Sequence, residues 1–302
     1  MKLHRHFLCV LCASAFSLLL LSSGSCATER TEIFPARAMV TGAATQPARE
    51  FHLHLNGIGG FRDIDRELIG GLRDGGYHGH ITAYDWTGRD VGLAALTVKR
   101  RHAEQSKKVA EMLLAELSAH PTSRITITAH SAGAGIITWA LEQLPDGAMV
   151  DSIVMLAPAL SPTYDLSRAL RHVRGNVYVF FSPHDATVLG LGTRMLGTVD
   201  GKKVDASGRV GFKRPPRGDE TLYMKLIPVP YRTAWAKLGN IGDHIGALER
   251  RFVAMVLAPV LLRGELPAEP GEDPLMAPPA PATAPIAGAK PPPAPARPDP
   301  MP

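Results

Sequence analysis

Cysteine is scarce in this chain of 302 residues, which holds three, at positions 9, 12 and 26. A small secreted scaffold stapled by disulfides needs many more in a shorter chain, so that class is excluded. Glycine, at 29 residues, is far too sparse and unperiodic for a collagen-like fibre. Long apolar runs are missing except at the N-terminus, which excludes a polytopic membrane protein built from repeated stretches of about 20 apolar residues. Aromatic residues make up only 6% of the chain. Only one of them, Phe212, falls within the basic run Arg194, Lys202, Lys203, Arg209, Lys213, Arg214 and Arg217. Although the formal net charge is +5, that run reads as a solvated loop and not as a nucleic-acid surface.

What is present divides into three segments. Residues 1–27 have the layout of an export signal: Lys2 and Arg5, an apolar stretch over 7–21, then small residues through Ser25, Cys26 and Ala27. The alternative, an uncleaved membrane anchor, needs about 20 apolar residues, more than this stretch supplies. Cleavage after Ala27 uses Ser25 and Ala27 as the small pair. Cleavage before Cys26 instead resembles a bacterial lipoprotein signal, with Ser23 where leucine is usual, and would attach the chain to a membrane face through a lipid on Cys26. Since Cys9 and Cys12 leave with the signal, no internal disulfide and no cysteine-built zinc site is expected. The expected location is therefore secreted or in the cell envelope.

Residues 264–302 hold 14 of the 26 prolines and 9 alanines. Such a segment buries too little surface to offset its ordering entropy and is expected to be a disordered tail. The folded body is expected over 28–263.

Within that body, apolar, β-branched runs at 51–55, 80–84, 125–129, 152–156, 176–181 and 222–227 read as strands. Helix-compatible stretches at 61–73, 99–119, 132–144 and 164–173 lie between them, and a last helix is expected over about 243–257. Regular alternation of strand and helix argues for an α/β fold: a mostly parallel sheet flanked by helices on both faces. Loops after the strands are then where chemistry belongs.

One such loop is Ala129-His130-Ser131-Ala132-Gly133, between a strand and a helix. A sharp strand-to-helix turn lifts a serine hydroxyl out of the sheet, and the small neighbours permit close backbone approach. N-capping is the alternative for Ser131. On this motif, with Ala129 in place of the first glycine of Gly-x-Ser-x-Gly, the sequence over about 50–257 resembles the α/β-hydrolase superfamily.

The resemblance implies an α/β-hydrolase fold and a triad in the chain order Ser131, Asp185, His244. Asp185 follows the strand two after the nucleophile's, and His244 is the only histidine beyond it. Asp165 and Asp151 are weaker candidates for the acid, since capping explains the first and the second precedes its strand. Asp243 is adjacent to His244 and poorly placed to orient it. The glycine-rich turn Asn56-Gly57-Ile58-Gly59-Gly60 stands where the family places half of its oxyanion hole, so the N–H groups of Ile58 and Ala132 are the expected donors. Neither GxGxxG spacing nor a following Lys-Ser/Thr is present, which argues against nucleotide binding.

His52 with His54, and His78 with His80, are too few for a zinc site and read as structural or surface residues. His130 and His184 read as pocket-lining. No cofactor is implied. The leading expectation is a serine hydrolase that cleaves a small-molecule or lipid ester. An acyltransferase or amidase on the same triad, or a non-catalytic envelope protein retaining the fold, are the alternatives. Residues 186–220, poor in apolar side chains, are expected to form a partly mobile insertion beside the site.

Overall fold

A computed structural model of the protein describes residues 49–88, 92–185 and 197–267. The signal-like segment with Cys26, residues 186–196 of the expected insertion, and the proline-rich stretch from 268 onward lie outside the described residues.

Six strands form one sheet: β1 (Glu50–Leu55), β2 (His80–Tyr84), β3 (Arg124–His130), β4 (Ser152–Leu156), β5 (Val177–Phe181) and β6 (Leu226–Pro230). Every pairing is parallel and the order is β2-β1-β3-β4-β5-β6. Helices α1 (Asp63–Asp74), α2 (Leu93–Thr97), α3 (Lys99–Ala119), α4 (Gly133–Leu141), α5 (Ser167–Leu170), α6 (Ser207–Val210), α7 (Glu220–Tyr223), α8 (Arg250–Phe252) and α9 (Ala258–Arg263) join or follow them. A π turn, Val253–Leu257, connects α8 to α9.

The period of two along each strand decides which layer it faces. Leu53, Leu55, Ile125, Ile127, Ile153 and Val179 point to one side and pack against α3 and α4 through Val109, Leu113, Ile136 and Ile137. Val154, Leu156, Tyr178 and Phe180 point to the other and meet Leu68 and Leu72 of α1 and Phe252 and Val256 of the C-terminal helix. Each such side chain contributes about 1.5–3 kcal/mol when fully buried. α3 is a helix because His102, Ser106, Val109, Ala110 and Leu113 fall on one buried stripe, while Arg100–Glu104 pairs on the wet side.

Through the second layer runs a polar line. His52 bonds Thr126 Oγ1 through Nδ1 (2.8 Å) and Thr128 Oγ1 through Nε2 (3.0 Å); His54 bonds Thr128 Oγ1 through Nδ1 (2.8 Å) and Asp65 Oδ1 through Nε2 (3.0 Å). A carboxylate only accepts, so His54 Nε2 donates and its Nδ1 accepts, and the same logic passes back to His52. Every ring nitrogen of the two imidazoles thereby has a hydrogen-bond partner. Burial, with the charges of His54 and Arg73, pushes the His52 pKa down to about 3. Burial alone would raise Asp65, but the hydrogen bond and charge of His54 and the Arg62 N–H hold it below the usual carboxylate value.

Three expected elements shift. The last strand is Leu226–Pro230, not 222–227, because Asp219 caps a helical turn at Glu220–Tyr223 by accepting from Leu222 N (3.2 Å). Pro228 and Pro230 are tolerated because β6 is an edge strand, whose outward positions need no N–H donor. The final helix begins at Arg250 and not at 243: Asp243 Oδ1 accepts from Gly246 N (2.7 Å), holding a turn there. The stretch expected as a helix over 164–173 is helical only at Ser167–Leu170.

Residues 197–220 are pinned more firmly than expected. Val199, Ala206 and Ser207 are buried, and backbone bonds run from Ser207 to Leu160 (2.8 Å), Gly208 to Pro158 (2.7 Å) and Ser182 to Gly208 (2.9 Å).

Candidate active site

β1 is the point where the strand order reverses, with β2 on one side and β3 on the other. A crevice opens beyond the carboxyl ends of two such strands. The turn after β1 and the turn after β3 meet there. An ideal Cβ on Gly57 would lie 3.2 Å from Ser131 Cβ and 3.0 Å from His130 Nδ1, so any side chain there would press both residues aside by a few tenths of an ångström.

Ser131 has φ +54°, the left-handed region that a side chain rarely adopts. Three backbone bonds hold it there: Ser131 N to Leu156 O (2.9 Å), Ala159 N to Ser131 O (3.0 Å) and Ala134 N to Ser131 O (3.2 Å). α4 starts at once behind it and approaches β1 so closely that a Cβ on Gly133 would meet Asn56 O at 2.6 Å and Leu55 O at 2.9 Å. Ala129, where the family motif has glycine, is a fully buried strand residue paired with Leu55 and Met155, so its methyl group is accommodated in the core.

Asp185 follows β5 and is buried; His244 follows β6 and is half-buried. The structure brings both to the serine. His244 Nδ1 lies 2.7 Å from Asp185 Oδ2, and its Nε2 lies 3.1 Å from Ser131 Oγ. Because the carboxylate can only accept, Nδ1 carries the proton and Nε2 presents its lone pair to the serine O–H. A cavity of about 20 Å³ adjoins Asp185, lined by Ser182, Trp235, Asn240 and Asp243 among others. The rival acids are spent elsewhere. Asp165 accepts from Ser167 N (3.0 Å), Asp151 accepts from Ile125 N (2.7 Å) at the opposite edge of the sheet, and Asp243 accepts from Gly246 N.

Among the described residues, the N–H groups of Ile58 and Ala132 have no hydrogen-bond acceptor. The first is aimed by residues that motif reading missed. In a trans peptide C=O and N–H point in opposite directions, and the Gly57 carbonyl is held by Asn56 Nδ2 (2.8 Å) and Gly60 N (3.3 Å). Asp85, at the end of β2, braces the same turn by accepting from Phe61 N (3.1 Å), Thr87 N (2.9 Å) and Asn56 Nδ2 (3.4 Å). The available signal was an aspartate directly after a strand with threonine two positions on, an Asx turn at the carboxyl edge.

The remaining histidines differ in setting. His184 is exposed against Tyr231 (5.5 Å between ring centroids), whereas His130 is buried and bonds the carbonyl of His244 through Nε2 (3.0 Å). Burial, then the neighbouring His244, pushes the His130 pKa down to about 3.

The all-parallel sheet, its strand order, and the serine turn after β3 with acid and histidine after β5 and β6 together define an α/β-hydrolase fold. No protein-family model matches the chain, and no curated protein matches it as a relative. Among solved structures it is similar to lipase B of Aspergillus fumigatus (14% identity, TM-score 0.45), with 76% of this chain and 55% of that one covered. The chain thus spans about half the length of that lipase. It is also similar to a lipase-esterase related protein from Clostridium acetobutylicum (14% identity, TM-score 0.41, 70% and 94% covered). A third is carboxylesterase CesB from Bacillus subtilis (13% identity, TM-score 0.37, 74% and 87% covered).

Proposed function

We propose that the protein is a serine hydrolase that cleaves carboxylic esters through an acyl-enzyme intermediate. The observation that carries this reading is the unbroken line Ser131 Oγ, His244 Nε2, His244 Nδ1, Asp185 Oδ2 at 3.1 and 2.7 Å, built on a left-handed serine turn.

In this reading His244 Nε2 takes the proton of Ser131 as Oγ attacks the ester carbonyl, and Asp185 stabilises the imidazolium and fixes its tautomer. The N–H groups of Ile58 and Ala132 receive the oxyanion; one such donor is worth about 10²- to 10³-fold in rate. Collapse of the tetrahedral intermediate breaks the ester C–O bond, and His244 returns the proton to the departing alcohol. Water then repeats the sequence against the acyl-serine, releasing the acid and restoring Ser131.

Export by residues 1–27, with lipid attachment at Cys26 or cleavage after Ala27, and a small-molecule or lipid ester as substrate, belong to the same proposal and rest on the sequence pattern. Turnover of aryl esters with an initial burst, lost in Ser131→Ala at unchanged folding, is the expected result. Equal esterase activity in that variant overturns the reading.

A further inference from the structure

His244 makes three hydrogen bonds among the described residues. Two engage its ring and are the ones that proton transfer rearranges. The third holds its backbone: the carbonyl of His244 accepts from Nε2 of His130 at 3.0 Å. The other bonds of that stretch, Asn240 Oδ1 with Gly242 N, Asp243 Oδ1 with Gly246 N, Ile245 O with Leu248 N and Gly246 O with Glu249 N, all close short turns within residues 240–249.

We propose that His130 is a positioning residue that clamps the loop carrying His244 to the nucleophile turn and so sets the distance between base and serine. This rests on the serine-hydrolase reading above. His130 is the covalent neighbour of Ser131 and the last residue of β3, so its place relative to Oγ is fixed by the sheet. A carbonyl only accepts, hence Nε2 carries the proton and Nδ1 is left bare against Gly57. The two rings lie 4.9 Å apart between centroids, tilted by 47°, so His130 also walls the base on one side. His244, Asp65 and His54 are the ionisable groups that act on it, and its imidazole stays neutral through the working pH range of a histidine base. A misplacement of about 1 Å in a catalytic group costs on the order of 10²-fold in rate, which is the lever such a clamp controls.

The test uses three variants of the full chain. Gln carries its amide nitrogen at the reach of Nε2, Asn falls short, and Leu has no donor. His130→Gln is expected to keep kcat within about 5-fold, while His130→Asn and His130→Leu lose about 10- to 100-fold in kcat at unchanged KM. Amide hydrogen exchange across 241–246 is expected to quicken in the Asn and Leu variants and not in Gln, which reads the clamp directly even without turnover. Should Leu prove unfolded, the Gln and Asn pair carries the comparison. Equal losses in Gln and Asn, no loss in either, or unchanged exchange in Asn overturns the clamp. Failure of the wild type to hydrolyse esters, with the exchange pattern intact, instead counts against the hydrolase reading alone.

Discussion

The backbone of Ser131 offers a test that separates conformation from chemistry. Ser131→Ala and Ser131→Gly both remove Oγ and its bond to His244, and both are expected to lower turnover by about four to six orders of magnitude. They differ only in a Cβ. At φ +54° that carbon sits where a left-handed residue costs about 1–2 kcal/mol. Glycine forgoes this strain but loses about 0.5–1 kcal/mol more backbone entropy on folding. The difference leaves the glycine variant more stable by about 0.5–1 kcal/mol, a Tm higher by about 1–4 °C for a domain of this size. In an ordinary helix or strand the sign is reversed. Thermal unfolding of the two variants side by side reads the answer, and an alanine variant as stable as the glycine one, or more so, refutes the strained turn.

Other outcomes follow from contacts around the site. Gly133→Ala drives a methyl group to 2.6 Å from the Asn56 carbonyl. It should destabilise the fold by about 1–3 kcal/mol, seen as a lower Tm, and depress kcat further by moving the Ile58 turn. Asn56→Ala removes the shorter of the two hydrogen bonds that hold the Gly57 carbonyl, and should lower kcat by about 5- to 50-fold with little change in KM and weaken binding of a phosphonate transition-state analogue; an unchanged kcat removes Asn56 from the oxyanion assembly. His52 and His130 are held neutral, with pKa values near 3 against 6.5 for an unfolded histidine. The unfolded chain then binds the extra protons, so stability is complete above pH 6.5 and falls as pH drops from there toward 3, by up to about 1.4 kcal/mol per pH unit for each group. Tm measured against pH should show this slope, and a flat profile from 6.5 to 4.5 contradicts it.

How far the sequence could be read depended on whether a signal was local. β2 and β4 were legible to the residue because each is a short buried run that meets a sharp end, and α3 because its stripe is long and Pro121 closes it. β6 was misplaced because Pro228 and Pro230 look hostile to a strand until the strand is known to lie at the edge. The start of the last helix was misjudged because a single side-chain bond, Asp243 to Gly246, keeps that turn out of the helix. In the candidate site, Ser131, Asp185 and His244 could be picked out because a strand-to-helix turn and chain order are written in the sequence. Roles for His130, Asn56 and Asp85 could not, since each acts through a partner that only folding brings near: His130 and His244 are 114 residues apart, Asn56 and Asp85 are 29 apart.

Reaction of the purified chain with a fluorophosphonate probe, followed by mapping of the modified peptide, reads whether Ser131 is the nucleophile. A nucleophilic Ser131 activated by His244 predicts one covalent adduct, on Ser131, abolished in Ser131→Ala and strongly slowed in His244→Ala. No adduct on the folded wild-type chain, or an adduct that persists in Ser131→Ala, contradicts it.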